Sequence, residues 1–375
     1  MSDERETDVL VIGASAAGLA AAACLQQAGV PVEILEATDH VGDAWRHHYE
    51  RLHLHTPKSS SQLPGLPMPR SWPRYPEREQ VVEYLEMYAR HHRLTPHFGQ
   101  RVTSLERVGD RWVATTADGT WSARDVVVAT GATHRPVRPT WPGMQEYAGD
   151  LLHSSEYRNG EPWRGKPVLV VGFGNSACEQ AIDLVEHGAH VHMSVRSPVN
   201  VIPRDLLGVP ILQMGIVMRP LPTKLADAMA APLVRLTVGD ITKVGLKRLP
   251  YGPNTQIKND RHIPLLDIGT MEHIKAGRIT VHGAVERFTE YGVVVDGRDL
   301  HVDAVVLGTG YEPGLDELLP QWREVCDETG RPRVSGGPSG LPGLWFCGQF
   351  VSPAGMLREM GLEAQRIAEG IAATR

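Results

Sequence analysis

The chain has 375 residues, 42% of them hydrophobic and 22% charged, with 38 Gly and 28 Pro. Apolar content at that level, without biased tracts, excludes collagen-like, low-complexity and disordered classes, and the length suggests two or three domains. Lys and Arg number 38 against 44 Asp and Glu, a formal charge of −6 with no long basic run, which speaks against a nucleic-acid groove. The four cysteines (Cys24, Cys178, Cys326 and Cys347) are far apart and form no Cys-x-x-Cys pair. A disulfide scaffold, a zinc ribbon, a paired-thiol redox centre and a metal site are therefore not expected. The first eight residues are acidic and polar, unlike a signal peptide, and no apolar run reaches the ~20 residues that span a bilayer. A cytoplasmic location without a membrane span is the expectation.

In chain order, Asp8-Val-Leu-Val-Ile12 reads as a buried strand, followed at once by Gly13-Ala-Ser15-Ala-Ala-Gly18 and a helical run to Ala28. Val32 to Glu36 is the next strand and ends in an acid. Arg101 to Ala123 carries hairpin signals at Gly109-Asp110 and Asp118-Gly119, and Asp125-Val-Val-Val-Ala-Thr130-Gly131 is a further strand. Ala132 to Pro139 is loop-like, and Asn159-Gly-Glu-Pro162 marks the entry to a second domain. The pattern then repeats. Pro167 to Val171 is a strand, Gly172-Phe-Gly174-Asn175-Ser176-Ala177 opens a helix to His187, and Val191 to Arg196 is a strand ending in a base. Ile279 to Val302 is a second meander, and Asp303-Ala-Val-Val-Leu-Gly-Thr-Gly310 repeats the strand that ends Thr-Gly. The glycine turns lie 159 residues apart and the Thr-Gly ends 179 apart. The economical reading is an α/β chain with two Rossmann-like dinucleotide-binding domains: residues 1–160, then 161–300 with a helical insertion at about 206–271, and a return segment 301–375. The insertion holds apolar runs at Ile211–Met218 and Met229–Val234. They suit core or homodimer packing better than the wall of a substrate tunnel.

In such turns the first Gly makes the bend, the second admits the pyrophosphate, and the third lets the helix pack on the strand. Ser15 stands at the middle position of the first copy and Ala177 at the third position of the second. Glu36, 23 residues after its turn, suits a ribose 2′-hydroxyl, whereas Arg196, 24 residues after its own, suits the 2′-phosphate of NADP. FAD is therefore expected at the first site and NADPH at the second. Arg204 is a second phosphate candidate, or else an ordinary surface salt-bridge residue. Asn175 is a candidate donor towards the reacting rings, or else a helix cap.

Tyr147-x-Gly149-x-x-x-His153-x-x-x-Tyr157 resembles the fingerprint of flavin-containing monooxygenases and their Baeyer–Villiger relatives, with Tyr147 in place of the usual Phe. Gly42-Asp-Ala-Trp45-Arg46 and Thr309-Gly310-Tyr311 resemble further motifs of that family. Tyr49 to Lys58, Val195 to Arg204, Val238-Gly-Asp240 with Gly245 to Arg248, Leu265 to Thr270, and Gly348-Gln349-Phe through Glu363 are similar to segments of the plant YUCCA-type enzymes. The resemblance covers essentially the whole chain. It implies a glutathione-reductase-like architecture and an FAD- and NADPH-dependent monooxygenase that forms a flavin 4a-hydroperoxide and oxygenates a small organic substrate. The chemistries it leaves open are oxidative decarboxylation of a 2-oxo acid such as indole-3-pyruvate, N- or S-oxygenation, and Baeyer–Villiger insertion. An NADPH oxidase, a flavin-dependent reductase and a non-catalytic nucleotide sensor stand as alternatives. Cofactor contacts are implied for Gly13, Ser15, Gly18, Glu36, Gly42, Trp45, Arg46, Thr130, Gly131, Tyr311, Gly348 and Gln349. On the NADPH side they are implied for His153, Tyr157, Gly172, Gly174, Asn175, Ser176, Arg196, Ser197 and Arg204, and for Gly310 with neither cofactor specified. His55 and Asn175 are the catalytic candidates. His153 and Tyr157, four residues apart, share a face if that stretch is helical.

Overall fold

The computed structural model of the chain describes residues 4–206, 208–211, 221–260, 263–350, 352 and 355–375. The chain forms two compact units: residues 1–46, 56–135 and 311–375 make the first, and 47–55 with 136–310 the second.

In the first unit, β1 (Glu4–Ile12) lies between β2 (Val32–Leu35) and β5 (Gly119–Val128), parallel to both. Antiparallel β4 (Arg111–Thr116) and β3 (Ser104–Val108) extend the sheet from β5, and the strand Leu344–Phe346 pairs with its C-terminal end. Val9 to Ile12 are all buried because both sheet faces are covered, which is why the strand reads as a continuous apolar run. Helix α1 (Ala16–Gln27) is buried over ten consecutive residues, and its alanines let the C-terminal helix Met356–Ala372 approach closely. Two further helices, α2 (Asp43–Arg46) and α3 (Arg78–His91), complete the layer on the α1 side.

The chain leaves this unit at β6 (Arg135–Pro136). The second unit has a five-stranded parallel sheet in the order Ile279–His282, β9 (His190–Ser194), β8 (Pro167–Val171), Ala304–Leu307 and β7 (Asp150–His153). Helix α4 (Asn175–Glu186) follows β8, and the strands Val285–Thr289, Gly292–Val295 and Arg298–His301 form the antiparallel meander. The insertion includes α5 (Thr223–Val238) and a short helix, Pro253–Asp260; its apolar run at 212–218 lies outside the described residues.

Two features depart from the sequence reading. Residues 136–160, which read from sequence as part of the first domain, cluster with the second unit because β7 pairs in register with Ala304–Leu307, and the same pairing keeps residues 301–310 there instead of in the return segment. Nor is the stretch from His153 to Tyr157 helical. His153 ends a strand and a turn follows, so the four-residue spacing does not place the two side chains on a helix face.

Candidate functional site

Each unit brings its glycine turn to the carboxyl edge of its own sheet, where open α/β sheets bind ligands. In the first unit Gly13 follows β1 with φ +108, and a Cβ there would stand 2.7 Å from the Ala129 carbonyl oxygen. A Cβ on Gly18 would stand 1.8 Å from the Gly13 oxygen, so only Gly lets α1 start this close to the turn. Ser15 is the residue before α1, and its hydroxyl makes no capping bond. Glu36 leaves β2 with its backbone pinned by His97 and Gln100. Its Oε2 accepts the Ala14 N–H at 2.7 Å, and its Oε1 accepts from the Thr38 N–H and hydroxyl at 3.0 and 2.8 Å. Gly42 donates to the Ala14 carbonyl at 3.1 Å, which brings the Gly42–Trp45 turn onto the same edge. Arg46 is turned to α3: its guanidinium pairs with Glu86, and its carbonyl accepts from Arg78.

Beside Gly13, the ends of β5 and Leu344–Phe346 supply Thr130, Gly131, Gly348 and Gln349. The Thr130 Oγ1 and both polar atoms of the Gln349 amide are buried without a hydrogen-bond partner among the described residues. A buried polar atom left unpaired costs about 1–3 kcal/mol. A bound cofactor with hydroxyl, phosphate and amide groups would satisfy all three, so these residues fit FAD.

The second unit repeats the arrangement. Gly172 has φ +119, its N–H donates to the Ser194 carbonyl, and a Cβ on it would stand 2.3 Å from the Gly308 oxygen. Gly308 makes room for Ala177, since a Cβ at 308 would lie 2.5 Å from that of Ala177. Gly174 caps α4, and a Cβ on it would meet nothing within 4 Å, so the backbone is open to a pyrophosphate. Ser176 lies in the first turn of α4. The Asn175 Oδ1 accepts the Leu266 N–H at 2.9 Å, leaving its amide nitrogen for a ligand. Arg196 and Ser197 are exposed after β9, and no hydrogen bond or ion pair holds the Arg196 guanidinium among the described residues. Arg204 instead pairs with Asp205 at 3.2 Å. The open glycine and free guanidinium fit NADPH.

The fingerprint residues form a buried framework. Tyr147 sits edge-on to Phe288 and donates to the Val302 carbonyl, and a Cβ on Gly149 would strike its hydroxyl. His153 is fully buried, with Nδ1 accepting from the Ser155 N–H and Nε2 donating to the Gly310 carbonyl; burial lowers its pKa, which favours the neutral ring. Tyr157 stacks on Trp163 and donates to Asp183 at 2.5 Å. Gly310 has φ +88 with open space around it, and Tyr311 already belongs to the first unit.

Two acids that the sequence reading did not single out organise these sites. Glu179 of α4 is 1% exposed; its Oε1 meets the His55 Nε2 at 2.9 Å and its Oε2 accepts from the Tyr49 hydroxyl. With the two-pronged Arg51–Glu186 pair at 2.8 Å, it secures residues 47–55 to α4. Glu363, in the C-terminal helix, is fully buried; its Oε2 accepts from the Gly348 N–H at 2.5 Å and the Ser335 hydroxyl at 2.9 Å. Burial pushes its carboxyl up to about 7 from an ordinary 4.5. The folded state then holds a proton that the unfolded chain has lost, so this group's stabilisation is full below pH 4.5 and is lost as pH rises through about 7. The loss should be of the order of 3 kcal/mol. Denaturant midpoints between pH 5 and 8 should show this fall, and Glu363→Gln should flatten it; a fall of equal size in the variant would assign the effect to another group.

All four cysteines are buried and unpaired. Burial raises Cys24 and Cys326 to about 11 and holds Cys178 and Cys347 well above the ordinary range, so none is a reactive thiolate of the kind a disulfide reductase uses.

Two dinucleotide edges in one chain, one with an acid and one with a free guanidinium, define a two-nucleotide flavoprotein oxidoreductase. The family model for pyridine nucleotide-disulphide oxidoreductases matches residues 10–205. Indole-3-pyruvate monooxygenase YUCCA1 of Oryza sativa subsp. japonica is 40% identical over 342 residues, covering 88% of this chain and 84% of the relative. Probable indole-3-pyruvate monooxygenase YUCCA9 of Arabidopsis thaliana is 38% identical over 376 residues, covering 96% and 88%. Among solved structures, a flavin-containing monooxygenase from Stenotrophomonas maltophilia has the same fold with TM-score 0.74 at 24% identity, covering 99% of both chains. An open crystal structure of cyclohexanone monooxygenase gives TM-score 0.74 at 18% identity, covering 99% of this chain and 87% of the other. The chain belongs to the flavin monooxygenase family, and its curated relatives there are YUCCA enzymes. It is an FAD- and NADPH-dependent monooxygenase acting on small organic substrates. No helix among the described residues is long and apolar enough to cross a membrane.

Proposed function

We propose that the enzyme carries out oxidative decarboxylation of an aryl 2-oxo acid, with indole-3-pyruvate as substrate. The observation that carries this reading is the 40% identity over 88% of the chain to a relative named for that reaction. In the reaction one dioxygen and one NADPH with a proton convert the oxo acid to the acid one carbon shorter, carbon dioxide, NADP+ and water.

Bound FAD supplies the oxygen-activating chemistry and bound NADPH supplies the hydride. The residues do the holding. Gly13, Ser15 and Gly18 open α1 to the FAD pyrophosphate, and Glu36 accepts from the ribose. Gly42, Trp45, Thr130, Gly131, Gly348, Gln349 and Tyr311 complete that contact set, with Arg46 bracing it through its pair with Glu86 of α3. Gly172, Gly174, Asn175 and Ser176 receive the NADPH pyrophosphate, Arg196 and Ser197 its 2′-phosphate, with Arg204 a further cation; His153, Tyr157 and Gly310 brace that edge. His55 is the proton-holding group: Glu179 fixes its Nε2, and its Nδ1 has no partner among the described residues. The unpaired buried cysteines support a reducing, cytoplasmic setting. Exposed Leu225, Met229 and Leu236, spaced along one stripe of α5, support a homodimer.

Turnover with indole-3-pyruvate should release indole-3-acetate and carbon dioxide with matched consumption of NADPH and oxygen. Oxygenated thioethers or amines, with the oxo acid untouched, would move the assignment to heteroatom oxygenation. Hydrogen peroxide in place of any organic product would make the chain an NADPH oxidase.

A further inference from the structure

Gln349 is an anomaly that its own neighbours do not resolve. It is 6% exposed, yet neither polar atom of its amide has a partner among the described residues. What holds it there is one carboxyl. The Gln349 N–H donates to the Ser335 hydroxyl at 3.2 Å, and that hydroxyl donates to the Glu363 Oε2, which also receives the Gly348 N–H. Gly348 itself has φ +82, and a Cβ on it would stand 2.8 Å from that of Ala17 on α1, so the turn is wedged against the first glycine-turn helix. The other oxygen, Glu363 Oε1, is buried and unpaired. A buried carboxyl with one oxygen unmet is an expensive way to fasten a loop, and such departures from good packing cluster where function requires them.

We propose that Glu363 is a positioning residue for FAD, its carboxyl presetting the Gly348–Gln349 turn so that the Gln349 amide is ready to hydrogen-bond the cofactor. This rests on the reading that FAD occupies the first unit's carboxyl edge. A second consequence follows from charge. FAD bound at this edge brings an anionic diphosphate to the same unit as the already buried Glu363, which favours the protonated carboxyl. FAD binding then takes up a proton, and affinity falls as pH rises through neutrality. The charged and titratable groups facing Glu363 are Glu359 and Arg366 on its own helix and Cys347 at the end of the adjoining strand. Cys347 stays neutral over this range, leaving Glu359 as the group to control for.

The test uses apoenzyme reconstituted with FAD, with the dissociation constant read from flavin fluorescence quenching at pH 6, 7 and 8. In the wild type, FAD should bind three- to tenfold more weakly at pH 8 than at pH 6. Glu363→Gln, which keeps an acceptor for the Gly348 N–H, should bind FAD within about threefold of wild type at pH 6 and lose the pH dependence. Glu359→Gln should keep it. Glu363→Ala should bind FAD at least tenfold more weakly at every pH while its dissociation constant for NADP+ is unchanged. A Glu363→Gln variant that keeps the wild-type pH dependence overturns the proposal, as does a folded Glu363→Ala variant that binds FAD as tightly as wild type. Should the alanine variant not fold, the pH profile of the glutamine variant decides. Wild type that binds no FAD would instead refute the underlying cofactor site.

Discussion

Replacing Arg196 with Glu should weaken NADPH by two to three orders of magnitude and reverse the coenzyme preference. The guanidinium is exposed at the end of β9 with no partner among the described residues, so nothing but a ligand competes for it. A charge-assisted hydrogen bond to phosphate contributes about 1.5–3 kcal/mol, or roughly a 10- to 150-fold change, and an introduced carboxylate adds repulsion. NADH lacks the 2′-phosphate and keeps a free ribose hydroxyl that the new carboxylate can accept from. Arg196→Ala should show only the first part of the effect, a loss confined to NADPH. Anaerobic bleaching of the flavin, timed against each coenzyme, separates the two. Wild-type rates that are equal for NADPH and NADH would remove Arg196 from the phosphate site. Arg204 should matter less, since its guanidinium is already paired with Asp205.

Removing the carboxylate of Glu36 should be of similar size on the other cofactor. Glu36→Ala is expected to raise the FAD dissociation constant about 100-fold, because it deletes a ribose acceptor and leaves the Ala14 N–H in the glycine turn without its 2.7 Å partner. Glu36→Gln keeps one acceptor and should lose about tenfold. Purification of the alanine variant as colourless protein that reconstitutes only at high FAD would bear this out. Full flavin retention would mean that Glu36 serves only the turn and Thr38.

Much of this arrangement could be read before any coordinates. Strand, glycine turn, helix and strand alternate with a strong change of period, and the acid and base that end β2 and β9 are set at nearly equal distances from their turns. Other parts left no such trace. Residues 47–55 sit between two stretches of the first unit in sequence, and tertiary ties attach them to the second, among them Tyr49–Glu179, His55–Glu179, Arg51–Glu186 and the bonds of His47 and Glu50 to Arg158 and Asn159. Acids on helices usually face water, so Glu179 and Glu363 look ordinary by periodicity. The run Ala177 to Leu184 is buried throughout although it holds Glu179, Gln180 and Asp183, so its sequence does not set Glu179 apart from its polar neighbours. The spacing of His153 and Tyr157 suggested a helix face, but Leu151 and Leu152 take β7 into the sheet and the pair ends in a framework of buried hydrogen bonds.

In both halves a Cβ on the bend glycine would strike the carbonyl oxygen at the end of a strand far away in sequence, Gly13 against Ala129 and Gly172 against Gly308, so each turn is fitted to its own strand end. Anyone grafting one turn onto the other half, or shuffling such halves between homologues, must therefore carry the distant strand end along with the motif. The loop that touches the coenzyme is only half of an inherited pair.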